Sequence, residues 1–400
     1  MTYEEIVDII DNKKRFGKAC GRDVTREILD AVGHPEMGMH IIHIAGTNGK
    51  GSVAAFVSSI LQAASFASLE HFKVGLFTSP HLLHHTERIR IDKNEIPKEA
   101  VVRLGEKLLG LQLKLEPTMS DYWLAMALLY YKEQQVKYVV LETGLGGRLD
   151  STSGLAEIPE VCAITSIGLE HTEYLGDTVG KIAYEKAGII KPNTPVVIGE
   201  MPEEAKNVIV EVCKEKSCEL VMATEVPEGT ALGLFGEYQR KNAAVAIEII
   251  KKILPDLDRE VLLLGLKNAR WPGRMDVISQ DPYILIDGAH NPSGVQALHD
   301  SLVKYFPNQR FSFIIAVMAD KDYLEMARII TDIAEDISAV SLEEKRAIQA
   351  TDLVAELKKA GITAKAFSSY EEALKNALTH DNKVIAFGSL YFIRTILKNK

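Results

Sequence analysis

The strongest chemical signal in this sequence is a glycine-rich loop that contains a lysine. Gly46, Gly49 and Gly51 fall within six positions, directly after the apolar residues 41–45. Glycine lets the backbone turn its N–H groups toward one point, where a polyphosphate would sit at the positive end of the following helix. Lys50 would then contact the β- and γ-phosphates. The loop therefore predicts nucleotide binding, although an ordinary glycine turn between a strand and a helix stays an alternative.

The loop departs from the standard phosphate-binding pattern at two positions. Ile44 stands where the first glycine of that pattern belongs, and Gly51 stands where a hydroxyl normally follows the lysine. Because that hydroxyl normally contacts Mg²⁺, another side-chain oxygen has to replace it. Ser79, just after the next apolar run, is the better candidate, and Ser52 is the second.

Polar side chains also follow other apolar runs of strand length. Ser79, Glu142 and His171 each come shortly after such a run. Because ligands bind at the carboxyl ends of the strands in an open α/β sheet, we expect these three side chains to converge near the phosphate loop. A carboxylate there offers the oxygen ligand that a phosphate-bound Mg²⁺ needs. For Glu142 taken alone, a glutamate that closes a strand into solvent is the plainer alternative.

Three clustered histidines and one lysine are weaker candidates for a functional site when only the composition around them is considered. His81, His84 and His85 lie close in sequence, but no carboxylate or cysteine falls beside them at metal-ligand spacing. Lys186 lies in a mostly apolar stretch that reads as a helix. By composition it is expected to be a surface lysine whose aliphatic stem packs against the protein.

Strands that alternate with helices position these residues. The pattern predicts an α/β fold in which a mostly parallel, P-loop ATPase-like sheet flanked by helices carries the glycine loop. From residue 283 onward the alternation resumes, which predicts a second and smaller Rossmann-like α/β domain. The stretch around Pro272 has the composition of a connection. The predicted domains are therefore 1–272, which carries the glycine loop, and 273–400.

The same patterning predicts the bounds of particular elements. The first 36 residues read as helical, interrupted by a loop around 16–22. A strand is predicted over 161–167. In the second domain, a helix is predicted over 323–335 and a strand over 340–342.

Composition excludes several classes of protein. The chain has 400 residues, 46% of them hydrophobic and 25% charged, which is typical of a globular protein with more than one domain. A net charge of −9 argues against nucleic acid as the main partner. No basic, apolar leader and no run of about 20 apolar residues is present, so no membrane association is predicted. The four cysteines form no C-x-x-C pair, which favours a reducing cytoplasm: Cys20, Cys162, Cys213 and Cys218.

Taken together, these motifs resemble one enzyme family, folylpolyglutamate synthase/dihydrofolate synthase, which is related to the Mur amino-acid ligases. The matching motifs occur in the family's order: Ala45-Gly46-Thr47-Asn48-Gly49-Lys50-Gly51-Ser52, Thr78-Ser79-Pro80-His81, Glu142 with Gly144-Leu145-Gly146-Gly147-Arg148-Leu149-Asp150, Glu185-Lys186-Ala187-Gly188-Ile189, Pro272-Gly273-Arg274 and Asp287-Gly288-Ala289-His290-Asn291-Pro292. The resemblance implies ATP-dependent amide formation between a carboxylate and L-glutamate. An acyl phosphate would be the intermediate.

The resemblance also implies a role for each matching residue. The residues implied in ATP binding are Asn48, Gly49, Lys50, Gly51, Ser52, Asn242, Arg274, Asp287 and His290. Those implied in holding metal are Ser79, Glu142, His171 and Lys186, the last as a carbamylated lysine at a second Mg²⁺ site. Lys50, Lys186, His171 and Arg274 are the residues implied in catalysis. The implied cofactors are ATP, two Mg²⁺ ions and K⁺.

The chain departs from the family pattern mainly on the expected pterin side. Residues 118–121 replace a segment that normally carries an aromatic residue and a glutamate, and residues 151–154 replace Ala-Thr-Asn. Milder differences are Glu170, where the family usually has Asp, and Tyr238, where it usually has His. The resemblance therefore predicts the identity of the acceptor carboxylate less well than it predicts the ATP site.

The leading hypothesis is a cytoplasmic, monomeric ligase whose substrates are ATP, L-glutamate and a folate or dihydropteroate, with neither nucleic acid nor membrane as partner. One alternative is a Mur-type ligase that acts on another carboxylate. Such enzymes carry a separate domain before the phosphate loop, whereas only a short stretch precedes it here. The other alternative is an ATP-binding module without catalysis, against which Lys186, Glu142 and His171 argue.

Overall fold

The protein is described here by a computed structural model that covers residues 1–13, 21–227, 229–344, 346–380 and 382–398. The chain divides into two compact units. Unit 1 consists of Met1–Gly233 and Arg240–Arg270, and unit 2 consists of Leu234–Gln239 and Trp271–Lys400. The assignment of Leu234–Gln239 to unit 2 is not anticipated by the sequence pattern.

Unit 1 is built on a mostly parallel sheet. Within the described residues its strands are β1 (His40–Ala45), β2 (Lys73–Phe77), β3 (Ile89–Ile91), β4 (Asn94–Glu95), β5 (Val136–Glu142), β6 (Val161–Ile164), β7 (Val196–Ile198) and β8 (Leu220–Met222). They lie in the order β4-β3-β2-β5-β1-β6-β7-β8, and β3 runs antiparallel to β2 and to β4. Strand β1 lies between β5 and β6, parallel to both. The carboxyl ends of these strands therefore share one edge of the sheet.

Helices cover the sheet of unit 1. In the described residues they are α1 (Tyr3–Asp11), α2 (Gly21–Val32), α3 (Lys50–Ala67), α4 (Lys98–Leu109), α5 (Met119–Glu133), α6 (Thr172–Leu175), α7 (Val179–Ala187), α8 (Glu203–Glu215), α9 (Glu237–Ile253) and α10 (Arg259–Asn268). The start of α9, up to Gln239, belongs to unit 2. Helix α3 is buried along most of its first four turns, because its residues are largely apolar and small. It packs against α10, where Ser59 Oγ donates to the Gly265 carbonyl over 2.7 Å.

Unit 2 contains a second α/β sheet. Its described strands are β9 (Asp276–Gln280), β10 (Tyr283–Asp287), β11 (Phe311–Ile315), β12 (Ala334–Val340), β13 (Lys365–Phe367) and β14 (Lys383–Phe387), in the order β13-β12-β11-β14-β10-β9. Its helices are α11 (Pro292–Tyr305), α12 (Tyr323–Ile330), α13 (Ala350–Lys359), α14 (Tyr370–Ala377) and α15 (Leu390–Lys398). Only the edge strand β9 runs antiparallel to its neighbour among the described pairs.

This architecture confirms the predicted class, an α/β protein with a mostly parallel first sheet and a smaller second sheet. The predicted bounds of two elements of unit 2 are wrong. Helix α12 begins at Tyr323, as predicted, but ends at Ile330 instead of residue 335. The strand predicted at 340–342 corresponds to β12, which runs from Ala334 to Val340. Because Glu335 and Asp336 are acidic, the sequence pattern at the start of this strand resembles the polar end of a helix. In the fold, Ser312 Oγ of β11 donates to the Asp336 carboxylate, which satisfies that charge.

Other differences are smaller. Strand β6 ends at Ile164, earlier than the predicted residue 167, because Thr165 and Ser166 turn toward the glycine loop. The interruption predicted around residues 16–22 falls mainly outside the described residues, and so does Cys20. The described cysteines Cys162, Cys213 and Cys218 are free thiols. In the part of the chain that the structure describes, no helix is long and apolar enough to cross a membrane.

Candidate active site

The glycine loop joins the end of β1 to the start of α3. Gly49 is the N-cap of α3 and has φ of 85°, a left-handed conformation that favours glycine. A Cβ on Gly49 would lie 2.3 Å from Asn242 Oδ1, and a Cβ on Gly46 would lie 1.9 Å from Thr165 Oγ1. Both positions therefore require glycine for space as well as for backbone conformation.

Two residues after β6 hold the loop in shape. The backbone N–H of Asn48 donates to Ser166 Oγ over 3.0 Å, and Thr165 Oγ1 donates to the Asn48 carbonyl over 2.6 Å. The backbone N–H of Thr47 donates to the Ser166 carbonyl over 2.8 Å. Sequence reasoning did not assign Thr165 or Ser166 a role. A pair of hydroxyl residues directly after an apolar run is the signal that marks them.

Lys50 and Lys186 place their ammonium groups on one backbone oxygen. Lys50 Nζ donates to the carbonyls of Gly46 and Thr47 over 2.9 and 3.1 Å. Lys186 Nζ, from α7, donates to the same Gly46 carbonyl over 2.9 Å. Two lysine side chains therefore meet at the loop that is predicted to receive phosphates. The expectation that Lys186 is a surface lysine is wrong, because its side chain is buried.

The surroundings of Lys186 favour its neutral amine. Burial lowers the pKa of Lys186 to about 7, and the charge of Lys50 acts in the same direction. Glu170 and Asp150 oppose this change by stabilising the charged form. A substantial fraction of this side chain is therefore an uncharged nucleophile near neutral pH.

Ser79 and Glu142 meet at the carboxyl ends of β2 and β5. The backbone N–H of Ser79 donates to Glu142 Oε2 over 3.1 Å, and the Glu142 side chain is buried. The interpretation of Glu142 as a strand end in solvent is therefore wrong. Ser79 Oγ lies 3.6 Å from the point that a Cβ on Gly144 would occupy. A carboxylate and a hydroxyl beside a phosphate loop are the hard oxygen donors that Mg²⁺ prefers, so the two residues fit this ion.

The remaining residues assigned to metal or phosphate in unit 1 are placed as follows. His171 is the N-cap of α6, with φ of 51°, and its Nε2 lies 3.9 Å from Glu170 Oε1. Its ring is 41% exposed. Ser52 is buried in the first turn of α3, which also contains Gly51. Across the described residues, no three side chains of His, Cys, Asp or Glu form a ready-made metal site.

A buried polar network supports the loop that follows Glu142. Asp150 Oδ1 accepts from the backbone N–H and the hydroxyl of Thr152, and Asp150 Oδ2 accepts from the N–H of Leu145. His43 Nε2, in the centre of β1, lies 2.8 Å from Thr152 Oγ1 and 3.1 Å from Thr143 Oγ1. Burial lowers the pKa of His43 to about 3, so the imidazole is neutral. A polar residue in the middle of an apolar strand is the signal that sequence reasoning passed over.

The two segments that depart from the family pattern contact each other. Asp121 Oδ1 accepts from Ser151 Oγ over 2.6 Å and from Thr25 Oγ1 over 2.9 Å. Asp121 Oδ2 accepts from the N–H and the hydroxyl of Thr118. The carboxylate is fully buried, so these segments form one hydrogen-bonded cluster between α2, α5 and the short helix Ser151–Gly154.

In unit 2, Asp287 is the centre of the predicted nucleotide residues. Its carboxylate, at the end of β10, accepts from the N–H groups of Met275 and Ala289, each over 2.7 Å. His290 Nδ1 lies 2.8 Å from the Gly288 carbonyl. The Arg274 guanidinium lies close to Gly288, where it would overlap an added Cβ.

Two family models, which together match most of the chain, show that it is an ATP-dependent ligase of the Mur class. The Mur ligase middle domain matches residues 44–250, and the Mur ligase, glutamate ligase domain matches residues 273–390.

Known proteins narrow the class to one family. Dihydrofolate synthase/folylpolyglutamate synthase of Bacillus subtilis is 32% identical, covering 99% of this chain and 98% of the relative. Folylpolyglutamate synthase of Mycobacterium tuberculosis, complexed with ADP and AMPPCP, superposes with a TM-score of 0.89 at 25% identity, covering 99% of this chain and 98% of that chain. Escherichia coli FolC in complex with DHPP and ADP superposes with a TM-score of 0.87 at 28% identity, covering 100% of this chain and 97% of that chain. The chain belongs to the folylpolyglutamate synthase/dihydrofolate synthase family.

Proposed function

We propose that this enzyme joins L-glutamate to the carboxylate of a folate or of dihydropteroate, using ATP. The observation that carries the proposal is the convergence of Lys50 and Lys186 on the Gly46 carbonyl, in a chain that aligns with this family along its whole length. A lysine cation at the phosphate loop, beside a second lysine that is proposed to become a metal ligand, suits the transfer of a γ-phosphoryl group, which depends on positioning and charge neutralisation.

The reaction has two steps. An oxygen of the acceptor carboxylate attacks the γ-phosphorus of ATP, giving an acyl phosphate and ADP. The amine of glutamate then attacks the acyl carbon, the amine loses a proton, and phosphate leaves with the oxygen that it gained from the carboxylate. In this proposal Lys50 exchanges its contact with the Gly46 carbonyl for the phosphates, and Asn48, Gly49, Gly51 and Ser52 surround them.

Other residues are proposed to orient the nucleotide. Asn242, whose amide contacts the loop near Gly49, would bind the adenine. Arg274, Asp287 and His290 of unit 2 would contact the ribose and the phosphates. His171 and Arg274 are the further catalytic residues proposed, because each brings a cationic or hydrogen-bonding group to a predicted site.

Ser79, Glu142 and His171 are proposed to hold the first Mg²⁺. When bound, this ion supplies positive charge to the phosphate oxygens and so favours phosphoryl transfer. Lys186 is proposed to react as a neutral amine with CO₂, releasing a proton and leaving a carbamate. The resulting anion would be a ligand for a second Mg²⁺. A K⁺ site is proposed from the family resemblance alone.

The test offers the purified enzyme ATP, Mg²⁺ and L-glutamate with dihydropteroate, dihydrofolate or tetrahydrofolate in turn. Phosphate release that depends on both glutamate and the acceptor is expected with at least one of them. Release with none of the three would contradict the folate proposal. Release with a different carboxylate would indicate a Mur-type ligase of other specificity, and ADP binding without turnover would indicate a non-catalytic module. The active acceptor identifies the substrate.

We also propose that the enzyme is a cytoplasmic monomer. Free thiols at Cys162, Cys213 and Cys218 fit a reducing compartment, and the family resemblance supports the oligomeric state. Light scattering of the purified chain is expected to give a mass near the 44.2 kDa of one copy. A mass near that of two copies would contradict the proposed monomeric state.

A further inference from the structure

Tyr238 makes a buried hydrogen bond, although the proposed reaction assigns this residue no role. It lies in the first turn of α9, within the stretch Leu234–Gln239 that belongs to unit 2. Its hydroxyl donates to Asp287 Oδ2 over 2.7 Å. Burial and the adjacent Asp287 charge raise the pKa of Tyr238 well above its usual value. The phenol is therefore a hydrogen-bond donor at every pH at which the enzyme would work.

The partner of Tyr238 is a buried carboxylate that organises the backbone around it. Only 3% of Asp287 is exposed. Besides the phenol, Asp287 Oδ2 accepts from Met275 N–H and Oδ1 accepts from Ala289 N–H. Three donors therefore fix both oxygens, which leaves this carboxylate little capacity to bind a ligand directly. Its evident task is to hold other groups in place.

The two backbone donors lie next to residues proposed to contact ATP. Met275 directly follows Arg274, and Ala289 directly precedes His290. Asp287 therefore ties together the two chain segments that carry these side chains. Gly288 N–H, which donates to the Gly273 carbonyl over 2.8 Å, joins the same segments a second time.

One of these segments is held in an unfavourable conformation. Met275 has φ of 41°, a left-handed value that is unfavourable for an L-residue with a side chain. Such a conformation persists only when the surroundings fix it. The bond from Met275 N–H to Asp287 is one such constraint, and it depends on the carboxylate keeping its orientation.

We propose that Tyr238 is a positioning residue for the nucleotide: its hydroxyl fixes the Asp287 carboxylate, and through it the orientation of Arg274 and His290. This inference rests on the proposed function, which assigns Arg274 and His290 to ATP. It also changes the role of Asp287 from a ribose ligand to a buried support. Loss of the phenol hydroxyl would free the carboxylate to rotate and would loosen the turn that carries Arg274.

The test compares Tyr238→Phe with Tyr370→Phe, which removes the same atom from a half-buried tyrosine elsewhere in unit 2. The measurements are the ADP dissociation constant by calorimetry and KM values for ATP and glutamate. Tyr238→Phe is expected to weaken ADP binding and to raise the KM for ATP by about tenfold, because a bond to a charged acceptor is lost. The KM for glutamate should stay close to that of Tyr370→Phe.

A second variant tests whether Tyr238 acts through Asp287. In an Asp287→Asn background, Tyr238→Phe is expected to cause no further loss of ADP affinity; additive losses would overturn the proposal. So would an ADP affinity of Tyr238→Phe within twofold of the control. If the wild type binds ADP but turns over no folate, the proposed function fails while the ADP measurements still decide the role of Tyr238. If the wild type does not bind ADP, both proposals fail.

Discussion

Two lysines that share one carbonyl oxygen are the most informative pair of residues in this protein. Composition alone suggests a surface lysine at position 186, because an isolated lysine in an apolar stretch usually extends its ammonium into water. The fold buries it instead, and its neighbour Lys50 adds repulsion that favours the neutral amine. Family resemblance pointed to Lys186, whereas the physical reason for its lowered pKa comes only from the tertiary structure.

Replacing Lys186 by alanine is expected to reduce glutamate ligation by a factor of about 100 or more, because the proposed carbamate ligand of the second Mg²⁺ is lost. Added formate or acetate should restore part of the activity by taking the place of the carbamate. Steady-state rates with and without these anions measure the effect. Lys181→Ala, an exposed lysine on the same helix, is the matched control. Full activity of Lys186→Ala without any additive would refute the assigned role.

His43 predicts how stability depends on pH. The folded-state pKa is about 3, whereas the unfolded chain takes up a proton near pH 6.5. The neutral His43 imidazole therefore contributes its full share of the folding free energy above pH 6.5, and this share is lost as the pH falls toward 3. Between pH 7 and pH 5 the loss from this residue is about 2 kcal/mol.

A His43→Gln variant, which stays neutral, is therefore expected to lose about 2 kcal/mol less than the wild type between pH 7 and pH 5. Denaturant unfolding at the two pH values, followed by a probe in unit 1, measures the difference. Parallel behaviour of the two proteins would mean that the imidazole is charged in the folded state.

At the scale of elements, the strand–loop–helix unit is what the sequence predicted best. An apolar run, closely spaced glycines and a largely apolar helix define β1, the loop and α3 without further information. Less accessible to sequence were the contacts that shape the loop, since Thr165, Ser166 and Asn242 lie far away along the chain. Local patterning has no access to such pairings. It also fails at β12, whose acidic start becomes compatible with a strand only beside Ser312.

Gly49→Ala tests the geometry of this loop. An alanine there would have to adopt φ of 85° and would place its Cβ 2.3 Å from Asn242 Oδ1. We expect the loop to shift and nucleotide affinity to fall at least about tenfold, since strain and overlap together exceed 1.4 kcal/mol. Calorimetric titration with ADP measures the loss.

Gly361→Ala is the control that carries backbone strain away from the glycine loop. Gly361 has φ of 80° but no atom within 4 Å of an added Cβ, so this variant carries backbone strain without overlap. It should destabilise the chain by about 1 kcal/mol and leave ADP affinity unchanged. Equal ADP affinity in Gly49→Ala and the wild type would contradict the assignment of this loop to phosphate.

At the scale of the whole molecule, sequence patterning correctly predicted two α/β sheets but not the division of the chain between the units. Helix α9 is continuous, so nothing in its pattern shows that Leu234–Gln239 belongs to unit 2. That assignment arises from tertiary contacts, among them Tyr238 with Asp287 and the Glu237 N–H with Ser301 Oγ. The hydrogen-bonded cluster around Asp121 was equally beyond prediction, because it joins three separate stretches of chain.

In the proposed reaction, the acceptor carboxylate is activated as an acyl phosphate before glutamate attacks. The decisive experiment labels both oxygens of the acceptor carboxylate with ¹⁸O and analyses the products by mass spectrometry and ³¹P NMR. We expect one ¹⁸O atom in each phosphate released, together with an acceptor extended by one glutamyl residue. Released phosphate that carries no ¹⁸O, alongside an extended product, would contradict the acyl phosphate intermediate.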